Sequence, residues 1–320
     1  MLALRRDDAR QWWHAMTPVS PRIALLMTLP PLLWAGNAVV GRLMVGSVPP
    51  LTLNLLRWAL AALLLLPLGW RVFARPHDIT SRWPHLLLLG LLGVGTYNAM
   101  QYLALVTTTP INVTLIASSS PVWMLAIGAA LYGERIRAAQ VAGAVLSLAG
   151  VLLVIARGDP AALARIELVA GDLYVLVAII AWAFYSWMLA RPPASMRAPS
   201  RPDWTWAEFL LVQVMFGLVG AGAAAGAEVV HGSAPIAWSG AVVAALVYVA
   251  IGPSIVAYRC WGLGIAAGGP ALAAFFANLT PVFAALLSVV ILGDTPRWYH
   301  GVAFALIAAG IVVSSGRRTG

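Results

Sequence analysis

A long stretch of the sequence returns after an offset of 160 residues. In the first copy, Ser120-Pro121-Val122 precedes the pair Gly133-Glu134, and in the second copy Thr280-Pro281-Val282 precedes Gly293-Asp294. Each copy reads as an apolar segment interrupted by proline, a Gly-acid turn and a second apolar segment. A repeat with a fixed offset indicates that the chain is built from two structurally related units.

The apolar segments are long enough to cross a membrane. Of the 320 residues, 61% are hydrophobic and 10% are charged, whereas a soluble domain has about 25% charged residues. A membrane helix needs about 20 mostly apolar residues, and the sequence predicts ten such spans. They are residues 22–46, 51–70, 84–106, 110–132, 138–156, 171–190, 205–230, 236–262, 270–292 and 298–315.

The distribution of arginine predicts the orientation of these spans. The chain has no lysine, and with a cytoplasmic N-terminus 14 arginines fall on inner segments and four on outer segments. Positive residues concentrate on the cytoplasmic side of membrane proteins. We therefore expect a multi-pass protein of the bacterial inner membrane with both termini in the cytoplasm. The basic excess is explained by orientation, so nucleic acid is not an expected partner.

Each half has five predicted spans, and an odd number requires the second half to enter the membrane inverted. The fold class expected is an all-α integral membrane protein, with ten transmembrane helices as two inverted repeats around a central cavity. Secondary transporters often have this architecture, while duplication for packing alone is the alternative. The predicted parts are a cytoplasmic segment 1–21, a first repeat 22–156, a periplasmic linker 157–170, a second repeat 171–315 and a cytoplasmic tail 316–320.

Polar and aromatic residues near the middle of the spans are the candidates for a binding site. Amides in hydrocarbon need hydrogen-bond partners, which neighbouring helices or a solute can supply, and aromatic faces near amides favour a pocket. Interhelical bonding and packing remain the alternative for each residue. The candidates are Trp34, Asn37, Tyr97, Asn98, Gln101, Ser119, Trp123, Trp182, Tyr185, Tyr258, Trp261 and Asn278.

Three prolines inside spans are candidates for helix breaks or gates: Pro121, Pro253 and Pro281. A proline removes a backbone donor and leaves the carbonyl four residues earlier without its helical partner. We expect the carbonyls of Ala117 and Ala277 to be satisfied by nearby hydroxyls or water. A simple kink is the alternative, but the matched positions in both halves favour a solute-binding role.

The interiors of the predicted spans lack carboxylates and histidines. All carboxylates and histidines fall in loops or at span ends, and Cys260 is the single cysteine. We therefore expect no metal site, no cofactor and no obligatory proton coupling, because proton-driven carriers keep titratable groups within the membrane. Arg57 and Arg259 are the charged residues inside spans, and we expect Arg57 to extend toward the surface or to bond to backbone.

Several of these motifs together resemble a known family. Trp34-Ala-Gly-Asn37 and its echo Trp182-Ala-Phe-Tyr185, with the two proline motifs and Gly-acid turns, are similar to EamA-type permeases of the drug/metabolite transporter superfamily. The sequence most resembles the YddG-type exporters of aromatic amino acids. The resemblance implies ten helices around a central cavity and export of aromatic amino acids and methyl viologen. Asp294 departs from the Gly-Glu turn usual in the family.

The sequence thus favours an exporter of small amphiphilic metabolites that works by alternating access in a lipid bilayer. Amides and broken helices would hold a zwitterion, and aromatic faces would hold the side chain of an aromatic or other neutral amino acid. Aromatic faces also suit flat organic cations. The alternatives are a multidrug or other metabolite permease, a sensor or scaffold, and a lipid-modifying enzyme, for which no catalytic acid, base or metal is visible at mid-depth.

The orientation gives the first prediction. A reporter fused after Arg157 should lie outside the cell and one fused after Gly320 inside, because the arginine asymmetry places these positions on opposite faces. Paired phosphatase and fluorescent-protein fusions measure this directly. Detection of both positions on one side would contradict the inverted arrangement.

Overall fold

The computed structural model describes residues 20–108, 113, 116–165, 169–292 and 297–315, and every regular element in these ranges is a helix. A membrane interior favours this architecture because a helix satisfies its backbone polar groups within one segment. The Gly293-Asp294 turn, the tail 316–320 and residues 1–19 of the predicted N-terminal segment lie outside the described residues.

The first half places its helices in the order predicted. Helices α4 and α5 form one long span because a π-helical segment, Gly90–Thr96, joins them. The α-helices of this half are α1 (Pro21–Leu43), α2 (Pro50–Gly69), α3 (Pro76–Thr80), α4 (Trp83–Leu89), α5 (Tyr97–Thr107), α6 (Ser120–Tyr132) and α7 (Ala138–Ile155).

The second half follows the same pattern. A second π-helical segment, Ala250–Val256, joins α10 to α11. The α-helices of this half are α8 (Ala170–Ala190), α9 (Trp206–Val230), α10 (Gly240–Val249), α11 (Ala257–Ala277), α12 (Thr280–Leu292) and α13 (Trp298–Ser315).

Eight helical stretches of the described chain are long and apolar enough to cross a membrane, and α6 is a shorter apolar helix. The protein is therefore a multi-pass membrane protein. The figure of ten spans stays a prediction, because part of the fourth span lies outside the described ranges and one stretch runs through the eighth predicted span into the ninth. The eight are Pro21–Leu43, Pro50–Ala74, Trp83–Thr107, Ala138–Ile155, Ala170–Ala190, Trp206–Val230, Gly240–Ala277 and Trp298–Ser315.

The joint between the eighth and ninth predicted spans contains a helix break. Two helical segments, grouped above as α11, meet at Gly269, whose φ of 78° and ψ of 170° are not helical. Residues 263–269 are apolar or small, so they do not require a polar turn. A positive φ favours glycine, and Pro270 then begins the next helical stretch, where its missing N–H is tolerated.

The two π-helical segments lie at the same offset as the sequence repeat, since Gly90 and Ala250 are 160 residues apart. A π turn contains one residue more than an α turn, and such turns are frequent at functional sites. In the second segment, Pro253 removes a backbone donor. The first segment has Gly93 at the same offset and contains further glycines, whose backbone is easily distorted.

Small residues bring α7 and α13 close together, and the pattern follows the repeat. A Cβ atom added at Gly143 would lie 2.7 Å from the carbonyl oxygen of Gly310, and one added at Gly150 would lie 2.8 Å from that of Ala303. The repeat relates the two contacts, because the offset of 160 residues relates Gly143 to Ala303 and Gly150 to Gly310. The two helices run antiparallel, because the higher number on one pairs with the lower number on the other. Close backbone approach through small residues is typical of membrane helices.

This contact gives a stability prediction. A Cβ at Gly310 would lie 2.5 Å from the Ser147 hydroxyl, so Gly310→Val should push α7 and α13 apart. We expect a loss of roughly 1–3 kcal/mol, as for overpacked cores, seen as a lower melting temperature in detergent. Gly301→Val is the control on the same helix, because a Cβ there meets nothing within 4 Å. Equal melting temperatures for the two variants would contradict the described packing.

Candidate functional site

A small cavity lies where α1, α5 and α8 meet the beginnings of α6 and α12. Its volume is about 60 Å³, which is room for a few water molecules. Of the residues predicted for a site, Trp34, Asn37, Tyr97, Gln101, Trp182, Asn278 and Pro281 line it. It also contains Ala38, Tyr102, Ser118, Ser120 and Thr280.

Aromatic rings form one wall of the cavity. The ring centroids of Trp34 and Trp182 are 5.3 Å apart at an interplanar angle of 88°, and Tyr97 lies 4.5 Å from Trp182. Behind this wall, Tyr185 and Trp261 lie 4.9 Å and 5.2 Å from Trp182. Aromatic pairs at such separations stabilise one another beyond their apolar area, so this wall is a rigid apolar surface.

Two helices begin at the cavity. Ser120 starts α6 and Thr280 starts α12, and both residues line the cavity at the offset of the repeat. The Thr280 hydroxyl donates to the Ala277 carbonyl at 2.6 Å, as expected for a carbonyl freed by Pro281. The N-terminus of a helix carries a partial positive charge. Both helix starts therefore favour a negative group in the cavity, while the end of α11 at Ala277, which also lines the cavity, contributes partial negative charge.

Asn278 is a buried amide without a hydrogen-bond partner in the described part of the chain. Its side chain is 2% exposed, lines the cavity, and neither its Oδ1 nor its Nδ2 atom is bonded. Buried polar groups are nearly always paired, so each exception needs an explanation. Gln101 differs, because its Nε2 donates to the Tyr97 hydroxyl at 3.2 Å. A polar solute would supply what Asn278 lacks.

A buried arginine lies behind the polar side of the cavity. The Arg57 side chain is 0% exposed. Its Nη1 donates to Asn98 Oδ1 at 2.9 Å and to the Tyr102 hydroxyl at 2.7 Å, with Asn37 Oδ1 at 3.2 Å. Its Nε and Nη2 donate to the Ser254 hydroxyl at 3.0 Å and 2.8 Å. The bonds join α1, α2, α5 and the second π-helical segment.

The expectation that Arg57 reaches toward the membrane surface or bonds to backbone was wrong. All five of its hydrogen bonds go to side chains in the middle of the protein. Enough polar side chains converge at this depth to make the burial of a guanidinium possible. Arg259 lies elsewhere, with its guanidinium carbon 5.2 Å from the centre of the Trp206 ring.

The π-helical segments connect the two halves through matching carbonyls. The Tyr258 hydroxyl donates to the Gly93 carbonyl, and Trp34 Nε1 donates to the Pro253 carbonyl at 3.3 Å. Gly93 and Pro253 are separated by the repeat offset of 160 residues. In the second segment, the Ser254 hydroxyl also donates to the Val249 carbonyl at 2.7 Å, the group that Pro253 leaves without an α-helical donor.

The remaining predicted residues do not line the cavity. Asn98 bonds Arg57 and donates to the Tyr258 hydroxyl at 3.1 Å, so both serve the polar network. Trp261 Nε1 donates to the Ser186 hydroxyl at 3.1 Å, and Tyr185 stacks on Trp182. The Ser119 hydroxyl donates to the Ile116 carbonyl at 2.6 Å. Trp123 packs against the hydrophobic core, and Pro121 and Pro253 are buried in their helices.

Sequence reasoning missed Tyr102. It lies one helical turn after Asn98 and therefore on the same face, so extending that face by four residues would have found it. Its ring also lines a second cavity of about 230 Å³ near the loop between α1 and α2. There Glu228 accepts hydrogen bonds from the backbone N–H groups of Leu51 and Thr52 and stabilises the beginning of α2.

Among the described residues, no group of three or more His, Cys, Asp or Glu side chains is placed to hold a metal ion. The polar groups of the cavity are amides and hydroxyls, which can bind a polar solute by hydrogen bonds.

The chain resembles known membrane proteins along almost its whole length. The model of the EamA-like transporter family matches residues 21–156 and again residues 169–316. An uncharacterized transporter of Archaeoglobus fulgidus is 26% identical, over 92% of this chain and 97% of that protein. The aromatic amino acid exporter YddG of Ancylobacter novellus is 30% identical, over 89% of this chain and 93% of that protein.

A solved structure shares the fold. A crystal structure of a protein 26% identical to this chain aligns with a TM-score of 0.70 and covers 91% of this chain and 96% of that one. The helical arrangement described above is therefore shared over nearly the full length of both proteins.

Asn278, which is unpaired, and Asn98, which is hydrogen-bonded to Arg57, should respond differently to substitution. Asn278→Leu should leave the melting temperature unchanged or raise it, because it removes two unsatisfied polar atoms from a buried site. Asn98→Leu should lower it by several degrees, because Arg57 loses an acceptor in a buried network. Thermal unfolding of both variants in detergent measures the difference. Equal destabilisation would show that Asn278 has a structural partner.

Proposed function

Because the chain belongs to the EamA-like transporter family, we propose that this membrane transporter exports small amphiphilic metabolites, with aromatic and other neutral amino acids as its substrates. The family and the names of its relatives point to transport rather than to an enzymatic reaction. One relative is named as an exporter of aromatic amino acids. The substrate assigned here rests on the cavity.

The observation that carries the proposal is the pairing of an aromatic wall with an unpaired amide in one cavity. Trp34 and Trp182 present ring surface to a flat apolar side chain, and the Asn278 amide can donate to a carboxylate and accept from an ammonium group. The starts of α6 and α12 add partial positive charge on the polar side. An amino acid with an aromatic side chain satisfies both sides at once.

Alternating access accounts for the small size of the cavity. About 60 Å³ holds a few water molecules but not an aromatic amino acid, so the helices must separate before a solute enters. At one end, α6 and α8 are held together by three contacts. Trp187 Nε1 donates to the Met124 carbonyl at 2.8 Å, its ring stacks on Tyr132, and Arg191 pairs with Glu134. Opening on that side requires these contacts to break.

The organisation proposed is that of two inverted repeats, residues 22–156 and 171–315, joined by a periplasmic linker 157–170. Two separate matches to the family model support a repeated structure. The antiparallel contact of α7 with α13, in which equivalent residues exchange places, supports opposite orientations of the halves. The arginine asymmetry supports cytoplasmic termini in the inner membrane.

Transport by exchange, without an obligatory proton, is the mode that we propose. Liposomes that contain the purified protein should exchange external labelled phenylalanine for internal phenylalanine at a rate that an imposed pH gradient does not change. Trp182→Leu should raise the half-saturating concentration several-fold, because an aromatic contact contributes about 0.5–1.5 kcal/mol.

Trp238→Leu is the control, since this indole is exposed at the end of a loop and lines neither cavity. An unchanged half-saturating concentration in Trp182→Leu would contradict a role of the aromatic wall in binding the solute. Accumulation of phenylalanine against its gradient, driven by protons alone, would contradict the proposed mode.

A further inference from the structure

Arg57 holds a positive charge that no carboxylate pairs with in the described part of the chain. Its partners are four neutral side chains. The ion pairs of the described residues join Asp78 with Arg82, Asp159 with Arg165 and Glu134 with Arg191. A guanidinium does not lose its proton in proteins, and burial of an unpaired charge is strongly unfavourable. The interior of the protein therefore keeps a positive charge that an anion would balance.

The fold itself does not require this charge. The offset of 160 residues relates Arg57 to Gly217 and Ser254 to Val94. The two pairs lie at two equivalent helix crossings. Helix α2 packs against the second π-helical segment, and α9 packs against the first. At the second crossing, a Cβ on Gly217 would lie 2.4 Å from the Val94 side chain. One crossing is thus formed by an apolar contact and the other by a buried cation. Because an apolar contact is sufficient for packing, we expect the cation to have another role.

The charge reaches the cavity through two side chains. Asn37 and Tyr102 both accept hydrogen bonds from Arg57 and both line the cavity. Tyr102 in turn donates to Asn37 Oδ1 at 2.8 Å, which leaves Nδ2 as the donor of Asn37 that a solute can use. Hydrogen bonds in a chain polarise one another, and the low dielectric of the interior strengthens the effect. A negative group bound to Asn37 would be connected to the guanidinium through two hydrogen bonds.

We infer that Arg57 makes the cavity selective for solutes that carry a carboxylate and excludes organic cations. The inference rests on the proposed function, because it identifies the solute group that the same cavity recognises. Arg57 is a positioning residue, and Asn37, through its Nδ2 donor, is the group that contacts the carboxylate. The helix starts at Ser120 and Thr280 add to the same positive potential. The aromatic wall alone would accept flat cations, and the charge of Arg57 opposes them.

Three indole solutes test the inference: tryptophan, tryptamine, which lacks the carboxylate, and indole-3-propionate, which lacks the ammonium group. The measurement is competition with labelled phenylalanine for exchange in liposomes. With the unaltered protein, tryptophan and indole-3-propionate should compete and tryptamine should not. In Arg57→Met, the preference for tryptophan over tryptamine should fall by about tenfold to 100-fold, as expected for a unit charge two hydrogen bonds away at a dielectric constant of about 20.

Two further variants separate charge from structure. Arg57→Lys keeps the charge and should restore the preference. Arg259→Met removes a positive charge whose guanidinium packs on the Trp206 ring and does not line the cavity, and it should leave the preference unchanged. An unchanged preference in Arg57→Met would overturn the inference.

Competition by the three indole solutes on the unaltered protein is a second and independent test of the inference. It remains valid even if Arg57→Met does not fold. Equal competition by tryptophan and tryptamine would overturn the selectivity inferred for Arg57 and leave the proposed function standing. Failure of all three solutes to compete, or failure of phenylalanine to exchange at all, would overturn the proposed function and the inference with it.

Discussion

The polar centre of this protein depends on one buried guanidinium. A fixed charge in a medium of low dielectric constant attracts nearby dipoles, and here it organises Asn37, Asn98, Tyr102 and Ser254 from three segments of the chain. These segments come from both halves, so the charge determines how the halves meet. The aromatic wall and the helix starts then close the cavity around the polar side.

The cavity is lined by unlike surfaces because the two halves contribute unlike residues to equivalent places. The Trp34 motif of the first half ends in Asn37, whereas its echo in the second half ends in Tyr185. The first half supplies Asn37 with the guanidinium behind it and the rings of Trp34 and Tyr97. The second half supplies Trp182, the rings packed behind it and the unpaired amide of Asn278. A symmetric frame thus produces an asymmetric site, which an amphiphilic solute requires.

The helical framework could be predicted from the sequence because it depends on local features. Apolar length marks the spans, and helix α8, predicted at 171–190, is found at Ala170–Ala190. The proline motifs identified the breaks before α6 and α12, since a missing N–H acts on its own segment. The Trp34 and Trp182 pair could be recognised because each begins the same short motif, Trp-Ala followed two residues later by a polar residue.

The rest depended on contacts between distant segments. The π-helical segments could not be predicted from a pattern of apolar residues, because contacts with other helices decide whether a turn contains one extra residue. The position of Arg57 depends on whether acceptors converge from other helices, which sequence order does not show. Asn98 and Tyr258 have the polarity of site residues but bond to each other, because paired and unpaired amides look the same in a sequence.

The unequal crossings also limit how such a chain can be divided. If two copies of the first half assembled with each other, each Arg57 would face Val94 instead of Ser254, and two cations would be buried without their hydroxyl partner. Two copies of the second half would place Gly217 opposite Ser254 and hold no cation at all. The halves have become unlike subunits of a covalent dimer, and neither can replace the other, although both keep the outline of one ancestral unit.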